Sequence, residues 1–191
     1  MTIRHLPATG YVTRPWKNGT GVTDEICLLP ETATRDAFDL RISRATIAGP
    51  GLFSAFPGAD RTITPIEGEG LVLDFGGREV RLARWQPHTF DTGQTPDGRP
   101  EGGIVRVFNV MALRGRWRLA PAQVVRGPSN TSPAKGGMTV VFALCGGWRL
   151  NDADGTALLA EGDTALLDGP AHMVADAAGA AALIVPLVPV P

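Results

Sequence analysis

The chain has 191 residues, and its 24 glycines and 16 prolines make up about a fifth of it, against roughly 12% in an average protein. Hydrophobic residues account for 43% and the glycines have no three-residue period, which excludes a collagen-like repeat and a disordered chain. The net charge of −1, from 18 basic and 19 acidic residues, argues against a nucleic-acid-binding protein. We therefore predict a turn-rich globular chain, long enough for one sizeable core.

Short apolar or alternating stretches predict strands along the whole chain. Residues 38–44 alternate apolar and polar side chains, as a half-buried strand does. Residues 71–75 and 80–82 flank Gly76-Gly77, which predicts a β-hairpin. Further apolar runs lie at 63–66, 104–113, 138–144, 157–160, 164–167 and 180–188. No window keeps an amphipathic helical period for three turns, so the pattern predicts an all-β sandwich or barrel with little helix.

Two stretches rich in glycine, proline and polar residues predict loops, at 91–103 and at 126–137. The second lies past the middle of the chain and is the better candidate for a connection. It divides the chain into predicted halves of 1–125 and 138–191, which together form one compact protein.

The two halves share an order of features: a glycine, a strand, a turn, a strand, a proline and a histidine. The order runs from Gly68 to His88 in the first half and from Gly146 to His172 in the second. This unit resembles the second conserved block of cupins, small β-barrels often found in tandem, and predicts an internal duplication in a tandem cupin (bicupin) fold. The alternative is that any glycine-rich β-protein produces such similarities. Cupins often dimerise, so a homodimer is a further expectation.

Histidine and cysteine are scarce, with three His and two Cys. The usual cupin metal set needs a His-x-His pair, which this sequence lacks, and His88 and His172 fall in different halves. We therefore expect no metal and no cofactor. Cys27 and Cys145 lie in apolar strand-like contexts and are expected to be buried free thiols. Without a signal-peptide pattern or a run of about 20 apolar residues, a cytoplasmic protein with no membrane partner is expected.

The densest polar signal is the segment PWKNGTGVTDEI at residues 15–26. Lys17 lies in it and is one of only two lysines in a chain that strongly favours arginine. Lysine can supply a point positive charge to a carboxylate, and the neighbouring Asn18 can donate and accept hydrogen bonds. An ordinary turn into an edge strand is the alternative, and it explains the glycines but not the crowding of Trp16 with these two residues.

Strand periodicity predicts which polar side chains share a face. Thr23 and Glu25 share one face of a strand at 22–28, and Arg41 and Ser43 share another polar face. That second face either meets solvent, the commoner case, or lines a pocket.

Three further features could belong to a pocket. Phe53 and Phe56 could wall it or cover the end of the core, and Arg61 could hold an anion bidentately or pair at the surface. Asn109 lies in an apolar strand and must be satisfied by hydrogen bonds if it is buried.

Four stretches of the sequence resemble the HutD/Ves family: PWKNGTGVTDEI, FDLRISRATI, GLFSAFPGADRTITPIEGEGLVL and VFNVM. They span about the first 110 residues, and the Trp-Lys-Asn-Gly block followed by Thr-x-Glu-Ile is specific. Two positions depart from the family pattern. Thr20 stands where the family has a glycine, and Val107 stands where it has an aspartate, so ligand preference or activity could differ.

The resemblance implies a tandem-cupin fold without the ordinary metal ligands, in a bacterial cytoplasmic protein. HutD proteins are associated with histidine utilisation, where a role as a regulator of flux has been proposed, and Ves proteins with stress or cold response. The pocket residues carried over from the matching blocks are Trp16, Lys17, Asn18, Thr23, Glu25, Arg41, Ser43, Arg61 and Asn109.

Three functions are compatible with these residues. The first is binding of a small carboxylate metabolite, such as urocanate or formylglutamate, as a regulatory or accessory step of histidine utilisation. The second is a metal-independent isomerase or hydrolase, in which Glu25 is the base and Lys17 stabilises developing negative charge. The third is a structural or partner-binding module without a ligand pocket.

Overall fold

The computed structural model describes residues 3–16 and 21–191, and this part of the chain is almost entirely β-strand. Two short 3-10 turns interrupt the strands, at Ala8–Gly10 and Thr92–Gln94. The strands in chain order are β1 Ile3–Leu6, β2 Val12–Pro15, β3 Gly21–Leu29, β4 Leu40–Ile47, β5 Gly51–Leu52, β6 Ala59–Glu67, β7 Gly70–Asp74, β8 Glu79–Ala83, β9 His88–Asp91, β10 Asp97–Glu101, β11 Val105–Leu113, β12 Trp117–Leu119, β13 Gln123–Val125, β14 Ser129–Thr131, β15 Met138–Cys145, β16 Trp148–Asn151, β17 Thr156–Leu159, β18 Thr164–Leu167, β19 Ala171–Ala175 and β20 Ala181–Pro189. None of the helical segments in the described ranges is long and apolar enough to cross a membrane.

The chain divides into two compact units. The central unit is Val12–Trp117, and the terminal unit combines Arg118–Pro191 with the start of the chain up to Tyr11. Each unit holds one six-stranded and one four-stranded sheet, and the pairings within them are antiparallel. The prediction of an all-β tandem cupin fold is thereby confirmed.

In the central unit the six-stranded sheet has the order β2-β3-β4-β11-β6-β9 and the four-stranded sheet the order β5-β10-β7-β8. Apolar side chains from both sheets form one core, with Ile47 and Ile63 from the first and Leu71 and Leu73 from the second. Because residues two apart along a strand point to the same face, Arg41 and Ser43 of β4 lie on the same sheet face as Ile47, beside this apolar cluster.

In the terminal unit the six-stranded sheet runs β1-β18-β15-β20-β12, with β13 also paired to β20, and the four-stranded sheet runs β14-β19-β16-β17. Its core combines Val141 and Leu167 from the first sheet with Trp148 and Met173 from the second. Trp148 is 1% exposed and its Nε1 donates to the carbonyl oxygen of Ala181 at 3.3 Å.

The boundaries of the two units differ from those of the predicted halves, and they do so at both ends of the central unit. The start of the chain belongs with the C-terminal residues because β1 pairs with β18, which places Ile3 opposite Leu167. Residues 118–125 also group with the terminal unit. Such long-range pairing leaves no local signal in the sequence.

The predicted hairpin at 71–82 is confirmed, because β7 pairs with β8 and Leu73 lies opposite Val80. The predicted loops are partly wrong: 91–103 contains β10, and 126–137 contains β14. The sequence of β10, DGRPE, has no β-branched or aromatic residue, so its pairing with β7 decides its structure rather than intrinsic propensity. Neither cysteine forms a disulfide; Cys27 is buried and Cys145 is only partly buried.

Candidate binding site

The central unit contains a cavity of about 420 Å³ on the inner face of its six-stranded sheet, beside the apolar core, and the core residues Ala45 and Ile47 also line it. Strands β3, β4, β6 and β11 supply its floor, and the segment that follows β5 supplies an aromatic wall. Six of the residues predicted from the sequence line it: Trp16, Thr23, Arg41, Ser43, Arg61 and Asn109.

Strand register brings these side chains together. Ser43 lies opposite both Glu25 and Asn109 on the neighbouring strands, so these three residues form one row across the sheet. Met111 lies opposite Arg41 on one side and Arg61 on the other, which forms the next row. Side chains directly opposite each other in antiparallel strands lie roughly 4.5–5.5 Å apart at Cβ, so the two rows lie side by side, with the apolar Met111 between the two arginines.

Arg41 is held by Glu25. Its Nε donates to Oε1 of Glu25 at 2.9 Å and to Oε2 at 3.2 Å, and its Nη2 donates to Oε2 at 3.0 Å. The Arg41 side chain is only 3% exposed, and Nε of the half-exposed Arg35 lies 3.8 Å from the same carboxylate. A bidentate pair of this kind neutralises a buried guanidinium and fixes its plane. Glu25 does not line the cavity itself, but it orients a residue that does.

Arg61 is also buried, at 3% exposure, and none of the ion pairs found among residues 3–16 and 21–191 gives it an acidic partner. Its Nε makes no hydrogen bond, and its Cζ lies 5.1 Å from the ring centroid of Phe53 and 5.7 Å from those of Phe56 and Phe90. Burial, and then the charge of Arg41, lower the pKa of Arg61 from its ordinary value to about 9. The guanidinium therefore stays protonated at neutral pH, in a dry environment that disfavours its charge.

Two neutral polar residues lie in the first row, next to the row that contains Arg61. Asn109 is 3% exposed and Ser43 is 1% exposed. Within the described part of the chain, Oδ1 of Asn109 has no hydrogen-bond partner. Buried polar atoms are normally satisfied, so this amide has hydrogen-bonding capacity left over.

The start of the segment at residues 15–26 lies at the wall of the cavity. Trp16 Nε1 donates to Oγ1 of Thr23 at 2.7 Å, which fixes the indole at the wall of the cavity. Asp24, on the opposite face of β3, accepts hydrogen bonds from Thr13 and Arg44 instead. Lys17 and Asn18 lie outside the described residues, so their role in the pocket stays a prediction.

Sequence reasoning missed several residues of the cavity, including Arg35 and Met111. Arg35 lies between β3 and β4 in a segment without periodicity, so no local pattern indicates which way it points. Met111 shares a face with Asn109, and this shared face was the one available signal.

The residues of the cavity do not fit the metal site common in cupins. Guanidinium, hydroxyl and amide groups line it, and an unpaired guanidinium repels a cation. Among residues 3–16 and 21–191, no three His, Cys, Asp or Glu side chains form a group that could hold a metal ion. His88 stacks on Phe90 at a centroid distance of 6.0 Å, and His172 contacts Oδ1 of Asn130 at 2.8 Å on the surface.

Fold and site together define a class: a tandem cupin-like protein whose central unit carries an arginine-lined cavity. A solved pirin from Escherichia coli, YhhW in complex with nickel(II), has this fold, with a TM-score of 0.67 and 11% identity over 99% of this chain and 100% of the pirin.

Closer similarity identifies the family. The HutD family model matches residues 8–185. Protein Ves from Citrobacter koseri is 40% identical over 139 residues, which cover 72% of this chain and 70% of Ves. The structure of HutD from Pseudomonas fluorescens superposes with a TM-score of 0.82 at 28% identity, with 100% of both chains covered. The chain belongs to the HutD family.

Proposed function

We propose that the central unit binds a small carboxylate metabolite in its arginine-lined cavity. The observation that supports this most directly is Arg61, a buried and protonated guanidinium whose Nε has no hydrogen-bond partner in the described part of the chain. A bound carboxylate would supply the missing negative charge and accept two parallel hydrogen bonds from the guanidinium. Ser43 and Asn109, in the adjacent row, would orient it, and Trp16 and the phenylalanines would contact the apolar part of the ligand.

The state of Glu25 favours binding over catalysis. A general base needs an oxygen free to take a proton from the substrate, whereas both Glu25 oxygens accept hydrogen bonds from Arg41. Glu25 is better suited to holding Arg41 in place. The biological role we propose is regulatory or accessory, in bacterial histidine utilisation in the cytoplasm, in line with the association of the HutD family.

Titration calorimetry and thermal unfolding test the binding, with acetate, urocanate and formylglutamate as separate probes at up to millimolar concentration. We expect heat of binding and a raised unfolding midpoint with at least one probe, because a ligand specific to the folded state stabilises it. Arg61→Leu should abolish both effects. Arg81→Gln, at a side chain that is 64% exposed, is the matched control and should leave them unchanged.

Binding by acetate alone would support the carboxylate site and remove the link to histidine degradation. Binding by urocanate or formylglutamate well above acetate would support both. If none of the three acids binds, or if Arg61→Leu binds as the unaltered protein does, the proposed function is wrong.

A further inference from the structure

A glycine outside the cavity lies directly behind one of its aromatic walls. Gly98 is in β10, between β5 and β7, where it pairs with Gly51 and Leu73. A Cβ atom added at Gly98 would overlap Cε2 of the Phe53 ring and lie only 3.0 Å from its Cδ2. The backbone of Gly98 is not in the left-handed region, so the position needs glycine for space rather than for its φ angle.

The same phenylalanine covers Arg61. Its ring centroid lies 5.1 Å from Cζ of Arg61, and its backbone N–H donates to the carbonyl oxygen of Pro96 at 3.0 Å, which anchors it beside β10. The ring therefore lies between the bare backbone of Gly98 and the guanidinium. A shift of the ring would therefore uncover more of the Arg61 guanidinium.

We propose that Gly98 is a positioning residue of the binding site, because its missing side chain seats the Phe53 ring over the Arg61 guanidinium and keeps that group dry. Exclusion of water strengthens the attraction between a guanidinium and a carboxylate, since the local dielectric is low. The effect on a ligand rests on the proposed carboxylate binding, whereas the seating of Phe53 by Gly98 does not.

Gly98→Ala isolates this effect. The added methyl group meets the outer edge of a side-chain ring rather than backbone, so the ring can rotate away while the strand stays paired. The matched control is Gly115→Ala, in the same unit, where an added Cβ meets no atom within 4 Å. Thermal unfolding of each variant verifies that it is folded.

A first measurement needs no ligand. The Nε–H of Arg61 is buried, and its exchange with water can be followed by ¹⁵N NMR. We expect exchange about tenfold faster in Gly98→Ala and Phe53→Ala than in the unaltered protein and Gly115→Ala, because both changes open a path for water. Unchanged exchange in Gly98→Ala would overturn the proposal whether or not any acid binds.

The second measurement is a double-mutant cycle on acetate affinity. If Gly98 acts through Phe53, each single substitution should weaken acetate binding about three- to tenfold. The double variant should bind like Phe53→Ala alone, because the alanine leaves no ring to displace. Additive losses would overturn the proposal. Absence of acetate binding in every protein, together with faster exchange in Gly98→Ala, would refute the acetate site and support the seating of Phe53.

Discussion

The charge of Arg61 has opposite effects on the proposed binding and on stability. A buried charge without a partner destabilises the folded state, and even a buried ion pair can often be replaced by hydrophobic residues with a gain of about 1–4 kcal/mol. We therefore expect Arg61→Leu to unfold at higher urea concentration than the unaltered protein at pH 7, although it should no longer bind carboxylates. Three phenylalanine rings already surround the position and would contact the leucine. Loss of stability in this variant would show that the guanidinium is compensated in the folded protein.

The pKa of Arg61 gives the binding a pH limit. The folded-state pKa of about 9 lies well below the ordinary value for arginine, so the folded protein loses this proton more readily than the unfolded chain. The destabilisation by the charged group is complete below pH 9 and disappears as the pH rises from 9 towards that ordinary value. Acetate affinity should thus be constant from pH 6 to 8 and fall about tenfold per pH unit above 9. Calorimetry at constant ionic strength measures this, and undiminished affinity at pH 10.5 would contradict it.

Glu25 supports the site through its pair with Arg41. Removing the charge of one partner of a buried pair leaves the other uncompensated, which costs about 3–5 kcal/mol when both groups are fully buried. Because the Glu25 side chain is 12% exposed, we expect the lower part of that range for Glu25→Gln in urea unfolding. The control is Glu67→Gln, whose partner is Arg106 and whose side chain is 56% exposed; it should cost less than about 1 kcal/mol. Equal losses in the two variants would contradict the assigned role of Glu25.

At the scale of single strands, alternation in the sequence predicted which side chains share a face, but not what that face meets. A period of two residues places Arg41 and Ser43 on one face of their strand, and Asn109 and Met111 on one face of theirs. Whether such a face is solvated or buried depends on the neighbours that cover it, and Arg41 proved to be buried where solvent was the commoner expectation. Gly98 lay in a predicted loop, because β10 owes its strand structure to pairing partners distant in the sequence.

Asp163, at the start of β18, ties the N-terminal segment to the terminal unit. Its carboxylate accepts hydrogen bonds from the backbone N–H of Ala8 at 2.7 Å and of Ala160 at 3.0 Å, and it contacts Nε2 of His5 at 2.8 Å. Burial opposes ionisation, but the hydrogen bonds outweigh it and the pKa of Asp163 is lowered. The contribution of this carboxylate to stability is therefore present above its ordinary pKa of 3.8 and is lost as the pH falls through the lower folded value.

Asp163→Asn should accordingly lower the free energy of unfolding by about 1–3 kcal/mol at pH 7, because the asparagine amide has one acceptor oxygen where the carboxylate has two. The loss should shrink as the pH approaches 3. Asp152→Asn is the control, since its Oδ1 accepts from Asp154 and Gly155 in an exposed turn that asparagine also forms. Urea unfolding at pH 7 and pH 3 measures both. A loss that is the same at the two pH values would contradict a charge-dependent role for Asp163.

On the scale of the whole molecule, the two units repeat one plan and differ in their interiors. Large apolar side chains such as Trp148, Leu150 and Met173 fill the core of the terminal unit. The six-stranded sheet of the central unit instead buries arginine, serine and asparagine on one face. The duplication was visible in the sequence as a repeated order of turns and strands. The difference in interior follows from which side chains the paired strands bring together, and no local pattern carries that information.

Residues 3–11 group, in the fold, with residues 118–191, and this gives a test at the scale of the units. β1 forms the edge of the terminal sheet and pairs with the fully buried β18. A chain beginning at Val12 would leave β18 without that partner and would lose the contacts to Asp163.

Hydrogen exchange measured by mass spectrometry should then show faster exchange in β18 and β15, with β4 and β11 of the central unit unchanged. Removal of residues 190–191, which follow β20, is the matched truncation and should leave both units protected. Equal acceleration in the two units would show that they unfold as one, and no acceleration in β18 would show that β1 contributes nothing to the terminal unit.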